Sequence, residues 1–131
     1  MDFFGNINII FFIAAYLVGG IPFGLILAKT FAGVNIKEHG SGSIGATNVL
    51  RVVKETNPSL AKKLGIATVV LDALKGAVVL LVAIMFDISH ANLWGIAILS
   101  VLGHCYSPYL NFEGGKGVAT GLGVLVVLEP L

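Results

Sequence analysis

Apolar residues run almost without interruption through four stretches of the chain, and the polar residues are gathered between them. Positions 3–28 hold no charge across 26 residues, which at about 1.5 Å per residue is enough to cross the roughly 30 Å hydrocarbon layer of a bilayer. The stretch predicts a first transmembrane helix. The alternative is a cleaved signal peptide, against which stand Asp2 in place of a leading Lys or Arg and an apolar run longer than a signal core. Gly19, Gly20, Pro22 and Gly24 punctuate its second half; Pro22 is expected to kink the helix, and the small residues to let a neighbour pack closely. Residues 64–86 predict a second helix whose only charges, Asp72 and Lys75, stand i, i+3 and neutralise one another. The pair reads as structural, with a proton relay as its functional alternative. Residues 88–112 form a third uncharged stretch, broken near its end by His104, Pro108 and Asn111. A fourth apolar run opens at Gly117 and reaches Glu129, Pro130 and Leu131 after about half a membrane thickness. The expectation is an all-α, polytopic transmembrane bundle. It forms one integral-membrane domain over residues 1–131, with three full helices and a fourth cut short at the C-terminus.

Composition agrees: 56% of the residues are hydrophobic and 11% charged, where a soluble domain carries about a quarter charged. The balanced net charge of +1 excludes nucleic-acid binding through a broad basic field. Cys105 is the lone cysteine, and His39, His90 and His104 are scattered, so neither a disulfide nor a metal site is indicated. His90, at the outer turn, reads as an interfacial residue. The charges do set an orientation. Lys29, Lys37, Arg51, Lys54, Lys62 and Lys63 face only Glu38 and Glu55 in the 29–63 connection, which by the positive-inside rule is cytoplasmic. The N-terminus with Asp2 and the turn at Asp87 then lie outside, and residues 111–117 return to the cytoplasmic face.

Two polar segments exceed what membrane packing needs. The first, His39 to Arg51, contains Gly40, Gly42 and Gly45 in G-x-G-x-x-G spacing. It is not a dinucleotide fingerprint, because a membrane helix rather than a strand precedes it and no acid follows about 20 residues on. Its glycines nevertheless let backbone N–H groups converge on an anion, Ser41, Thr47 and Asn48 offer hydrogen bonds, and Arg51 supplies a bidentate fork. A flexible solvated loop is the plainer alternative. In the second, Gly114, Gly115, Lys116 and Gly117 open the fourth helix, aiming N–H groups, helix dipole and ammonium at one anion. The spacing departs from a Walker loop, since Gly117 stands where Ser or Thr would hold magnesium. An interfacial turn with a snorkelling lysine is the alternative here. Ser41, Ser43 and Ser107 are candidate hydroxyls, but spacing assigns no carboxylate partner to His39 or His104. The residues by themselves indicate a cytoplasm-facing membrane site for one or two phosphorylated ligands.

Taken together, Gly40 to Asn48 with Arg51, then Leu71-Asp-Ala-Leu-Lys-Gly76, then Gly103-His104 through Gly114-Gly-Lys-Gly-Val-Ala-Thr120 resemble the acyl-phosphate:glycerol-3-phosphate acyltransferases, the PlsY-type bacterial membrane family. The resemblance covers nearly the whole chain. It implies a seven-helix bundle of the bacterial cytoplasmic (inner) membrane that transfers a fatty acyl group from acyl phosphate to the 1-hydroxyl of glycerol 3-phosphate, giving lysophosphatidic acid at the cytoplasmic face. By the same resemblance Ser41, Arg51 and Lys116 stand at the reaction centre. Gly114, Gly115, Gly117 and Thr120 form a phosphate loop, Thr47 and Asn48 line the first motif, and Gly40, Gly42, Gly45 and His104 contact substrate. No cofactor and no metal are implied; the partners are the two substrates and the lipid bilayer. Ser43 stands where the family commonly has Asn, and the family's third motif, with a His, an Asn and an Arg, is absent from a sequence that ends at Leu131. The 131-residue chain is therefore expected to be inactive alone. The rival from another class is a transporter or channel subunit whose glycine-broken helices line a path for phosphorylated anions.

Overall fold

The computed structural model describes residues 6–129, and its regular elements there are all helical. Asp2, Pro130 and Leu131 lie outside the described residues. The bundle is polytopic: the composite span Ile7–Ala32 and the helix Pro58–Met85 are long and apolar enough to cross a bilayer.

The first span is broken rather than kinked. Helix α1 (Ile7–Gly19), capped by the Asn6 side chain accepting from Asn8 N at 2.9 Å, stops before Pro22, and α2 (Phe23–Leu27) resumes and runs into a π-helical turn, Ala28–Ala32. Proline lacks the N–H that would continue the ladder. The break turns two carbonyls into acceptors for other elements: Gly20 O takes the Ser107 hydroxyl at 2.6 Å, and Ile21 O takes Lys75 Nζ at 3.0 Å. The glycine at 19 serves packing as expected, because a Cβ there would run into the backbone of Ser100.

A 3₁₀ turn (Ile36–Glu38) leads to helix α3 (Ala46–Lys54), which occupies part of the segment read from sequence as a loop. Helix α4 (Pro58–Met85) starts six residues before the predicted 64–86 span, because Asn57 caps it by accepting from Leu60 N at 3.0 Å and Pro58 fits the first helical position. The third span is the chief departure. Helix α5 (His90–Cys105) has 16 residues, short of the roughly 20 that a full crossing takes. Beyond it the chain folds back through a 3₁₀ turn, Pro108–Leu110, closed by Ser107 N donating to Glu113 O at 3.0 Å and Phe112 N donating to Ser107 O at 2.7 Å. Helix α6 (Val118–Leu128) matches the predicted start of the fourth run.

Two apolar cores divide the bundle by height. Phe11, Ala15, Leu80, Ala83, Ile96 and Val124 pack near the Asp87 turn, whereas Leu25, Ile36, Ile44, Val49, Val53 and Leu64 pack at the basic end. Ile66, Val70, Leu74, Val78 and Leu81 of α4 lie on its exposed side, and a helix apolar on its outer face as well as its inner one suits a lipid or protein surrounding rather than water. Between the cores, at the basic end, the two glycine segments meet.

Candidate active site

The first glycine segment owes its shape to one buried side chain. Asn48, 1% exposed, donates its two Nδ2 hydrogens to Ile36 O and Ser43 O, both at 2.8 Å, with His39 O at 3.2 Å sharing one of them, and accepts from Ser41 N at 3.0 Å. Amide and carbonyl are both committed, so Asn48 staples the loop. Smaller turns complete it: Ser43 Oγ accepts from Gly45 N at 3.2 Å, and Ser41 Oγ from Ser43 N at 3.3 Å. Helix α3 then buries Val49, Val52 and Val53, which fixes its rotation and puts Thr47 and Arg51, an i, i+4 pair, on its exposed side.

The second segment is anchored by His104. Gly115 N donates to His104 O at 3.1 Å, and a Cβ at Gly115 would run into the His104 ring at Nε2. Gly117 caps α6 in the left-handed region at φ +77°, where only glycine sits without strain. The segments are joined by Lys37 and Glu113, whose Nζ and Oε2 lie 2.6 Å apart. That hydrogen bond, and then the charge of the lysine, hold the Glu113 carboxyl below its usual range.

Between the segments lie two adjoining cavities of about 370 Å³ and 330 Å³. Ser41, Gly45, Thr47, Asn48, Arg51, His104, Lys116 and Gly117 border the larger, with Val69, Val118, Ala119 and Leu122 as an apolar wall. Gly42, Gly114 and Gly115 border the smaller, which shares Ser41 and Lys116 with its neighbour. Two cations and a row of small polar groups thus face an apolar surface across one space.

Two residues expected at the site stand elsewhere. Thr120 is fully buried between α4 and α6, where its hydroxyl donates to Asp72 O at 2.9 Å, so it is a helix-to-helix tie and not part of the loop. Gly40 borders neither cavity; its positive φ of +57° and its contact with Asn48 give it a role in the turn. Among the other candidates Ser107 is spent on Gly20 O, and His39 is exposed and borders neither cavity. His90, the first residue of α5, accepts from Trp94 Nε1 at 3.1 Å. Asp72, read from sequence with Lys75 as a structural pair, is 2% exposed and stands at the margin of the larger cavity. The signal was there: a charge pair inside a membrane helix is a functional candidate by default. Among the described residues no three His, Cys, Asp or Glu side chains come together in metal-binding range.

Comparison with known proteins gives a concordant result. The glycerol-3-phosphate acyltransferase family model matches residues 9–131. A glycerol-3-phosphate acyltransferase of Aliarcobacter butzleri is 73% identical over 99% of this chain and 63% of its own length, and one of Sulfurimonas denitrificans 70% identical over 100% and 64%. The chain thus spans somewhat under two thirds of the curated relatives it matches. Among solved structures, the glycerol 3-phosphate form of PlsY (YgiH), an integral membrane glycerol 3-phosphate acyltransferase, superposes with a TM-score of 0.80 at 40% identity, covering 95% of this chain and 59% of that one. The lysophosphatidic acid form of PlsY gives a TM-score of 0.78 at the same identity, with 95% and 58% coverage.

Proposed function

The chain belongs to the glycerol-3-phosphate acyltransferase family, and from that premise we propose that the full-length protein transfers an acyl group from acyl phosphate to the 1-hydroxyl of glycerol 3-phosphate. The observation that carries the reading is the larger cavity. Segments some 65 residues apart in the chain bring Ser41, Arg51 and Lys116 to a space whose far wall is Val69, Val118 and Leu122. An anionic head and a fatty tail on one substrate call for that combination.

The chemistry asks little beyond positioning and charge neutralisation, because an acyl phosphate is already activated. The glycerol 1-hydroxyl oxygen attacks the acyl carbon, the carbon–oxygen bond to phosphate breaks, and inorganic phosphate leaves. Arg51 and Lys116 neutralise the two phosphates, and the Lys116 ammonium with Ser41 stabilises the oxyanion that develops on the acyl oxygen. The hydroxyl proton passes to a phosphate oxygen of glycerol 3-phosphate. Thr47 and the glycine N–H groups orient the polar substrate, while the apolar wall holds the acyl chain. The site faces the cytoplasm from the bacterial inner membrane, on the side of the lysine-rich 29–63 connection.

Purified full-length protein given acyl phosphate and glycerol 3-phosphate is expected to form lysophosphatidic acid and release inorganic phosphate in equal amounts. Lys116→Ala should lower that rate by roughly a hundredfold or more, the scale of losing one oxyanion donor. Retained activity in the variant would remove Lys116 from the reaction centre. Flux of phosphorylated anions into proteoliposomes without acyl consumption would favour a transporter instead.

A further inference from the structure

The Lys75 ammonium makes two directed hydrogen-bond contacts, with Ile21 O and His104 Nδ1, and one charge contact, with Asp72, whose Oδ1 has no aligned hydrogen bond. Its Nζ lies 2.8 Å from His104 Nδ1, 3.0 Å from Ile21 O and 3.2 Å from Asp72 Oδ1. The lysine and aspartate side chains are 1% and 3% exposed, which shields the pair from bulk solvent. An ammonium group donates and never accepts, so in the Lys75–His104 contact Nδ1 of the imidazole is the acceptor. A ring that accepts at Nδ1 carries its single proton on Nε2. That nitrogen is turned toward Gly115, where a Cβ would collide with it, and the ring borders the larger cavity. The Ile21 carbonyl that the lysine reaches lies at the break in the first span, where it also accepts from Phe23 N at 3.0 Å.

We infer that Asp72 and Lys75 are positioning residues which lock His104 in the Nε2–H form, so that it presents a fixed hydrogen-bond donor beside the Gly-Gly-Lys loop to a phosphate oxygen bound in the cavity. Asp72 balances the lysine charge, Ile21 O and Asp72 aim the ammonium, and the ammonium sets the tautomer. A free imidazole would divide its proton between the two nitrogens and lose donor strength at the cavity. The use of the donor in catalysis rests on the acyl-transfer reading; the tautomer does not.

The test is nitrogen NMR of full-length protein labelled with ¹⁵N-histidine in lipid nanodiscs, with the His104 signals identified by their loss in His104→Asn. The expected pattern is a protonated Nε2 and a bare, hydrogen-bonded Nδ1, with Nε2 shifting when inorganic phosphate is added. A ring protonated on Nδ1, alone or together with Nε2, overturns the inference without recourse to any variant. Lys75→Arg keeps a group that only donates and should keep the pattern. Asp72→Leu with Lys75→Met removes both charges together, leaves no lone buried ion, and should lose the Nδ1 hydrogen-bond shift and bring in Nδ1–H signal. Between these two variants, matched for thermal unfolding, the acyl-transfer rate should fall about tenfold, the scale of one charge-assisted hydrogen bond. Equal spectra and equal rates in the two overturn the inference. The expected spectra with no acyl transfer even in the unmodified protein would leave the tautomer assignment standing and sink the proposed function.

Discussion

Asn48 displays how much of a site depends on a residue that need not touch substrate. Four hydrogen bonds from one amide tie together the 3₁₀ turn at Ile36, the glycine loop and the start of α3. Asn48→Ala would take the side-chain partner from Ile36 O, Ser43 O and the Ser41 N–H, while His39 O keeps its bond from Gly42 N, and each orphan that stays buried costs on the order of 1–3 kcal/mol. The expected outcome is a lower unfolding midpoint and a raised KM for glycerol 3-phosphate, since Ser41 and Gly45 lose their placement. Asn48→Asp should be at least as damaging, because it keeps the shape but turns a carboxylate oxygen toward the three carbonyls. An unchanged midpoint in both variants would refute the staple. An asparagine among glycines in an apolar chain announces itself as polar chemistry, and its neighbours suggest anion binding. Its partners emerge only when the loop closes, because Ile36 lies 12 residues away. Thr120 illustrates the converse: a hydroxyl following Gly-Gly-Lys-Gly-Val-Ala reads as part of the loop, but one further turn of α6 rotates it onto the α4 backbone.

At the scale of elements, uninterrupted apolar runs located α1 with α2, α4 and α6, because in a bilayer length and the absence of charge decide where helices form. They fail where a short helix lies at the membrane edge. Val49, Val52 and Val53 stand at the i, i+3, i+4 spacing that marks a helix face, yet nine residues after a glycine-rich loop give a weak pattern, and α3 becomes evident only through its burial. Pro22 was expected to kink a helix and ends it instead, since the Ser107 hydroxyl and the Lys75 ammonium reward the freed carbonyls. The contact of α4 with α6 rests on small residues: a Cβ on Gly123 would run into the Ala73 backbone. Gly123→Ala must therefore push the two helices apart, at a cost of about 1–3 kcal/mol. Thermal unfolding in detergent should report a lower midpoint, whereas Gly121→Ala, where a Cβ meets nothing, should leave it unchanged or slightly raised. Equal midpoints would mean that α6 does not pack on α4 this closely.

For the molecule as a whole, the charge pattern and the packing answer different parts of one question. Packing puts the glycine segments at the same end of the bundle: Lys37 bonds to Glu113 across 76 residues of sequence, and the Asp87 turn lies at the other end, beside Phe86 tilted against Phe11 with ring centroids 5.8 Å apart. It does not say which end faces the cell interior. The six cations of the 29–63 connection support the proposed cytoplasmic placement of that end, by the bias of Lys and Arg toward cytoplasmic loops. The orientation can be tested in intact cells with a membrane-impermeant maleimide. In a Cys105→Ser background, Asp87→Cys should be labelled from outside, and Lys54→Cys, at the exposed end of α3, only after the membrane is permeabilised. Labelling of Lys54→Cys in sealed cells would invert the molecule, place the cavity with Arg51 and Lys116 outside, and overturn the proposed cytoplasmic site. The direction of a half-dozen lysines and arginines thus decides whether the geometry of the site can meet its substrates.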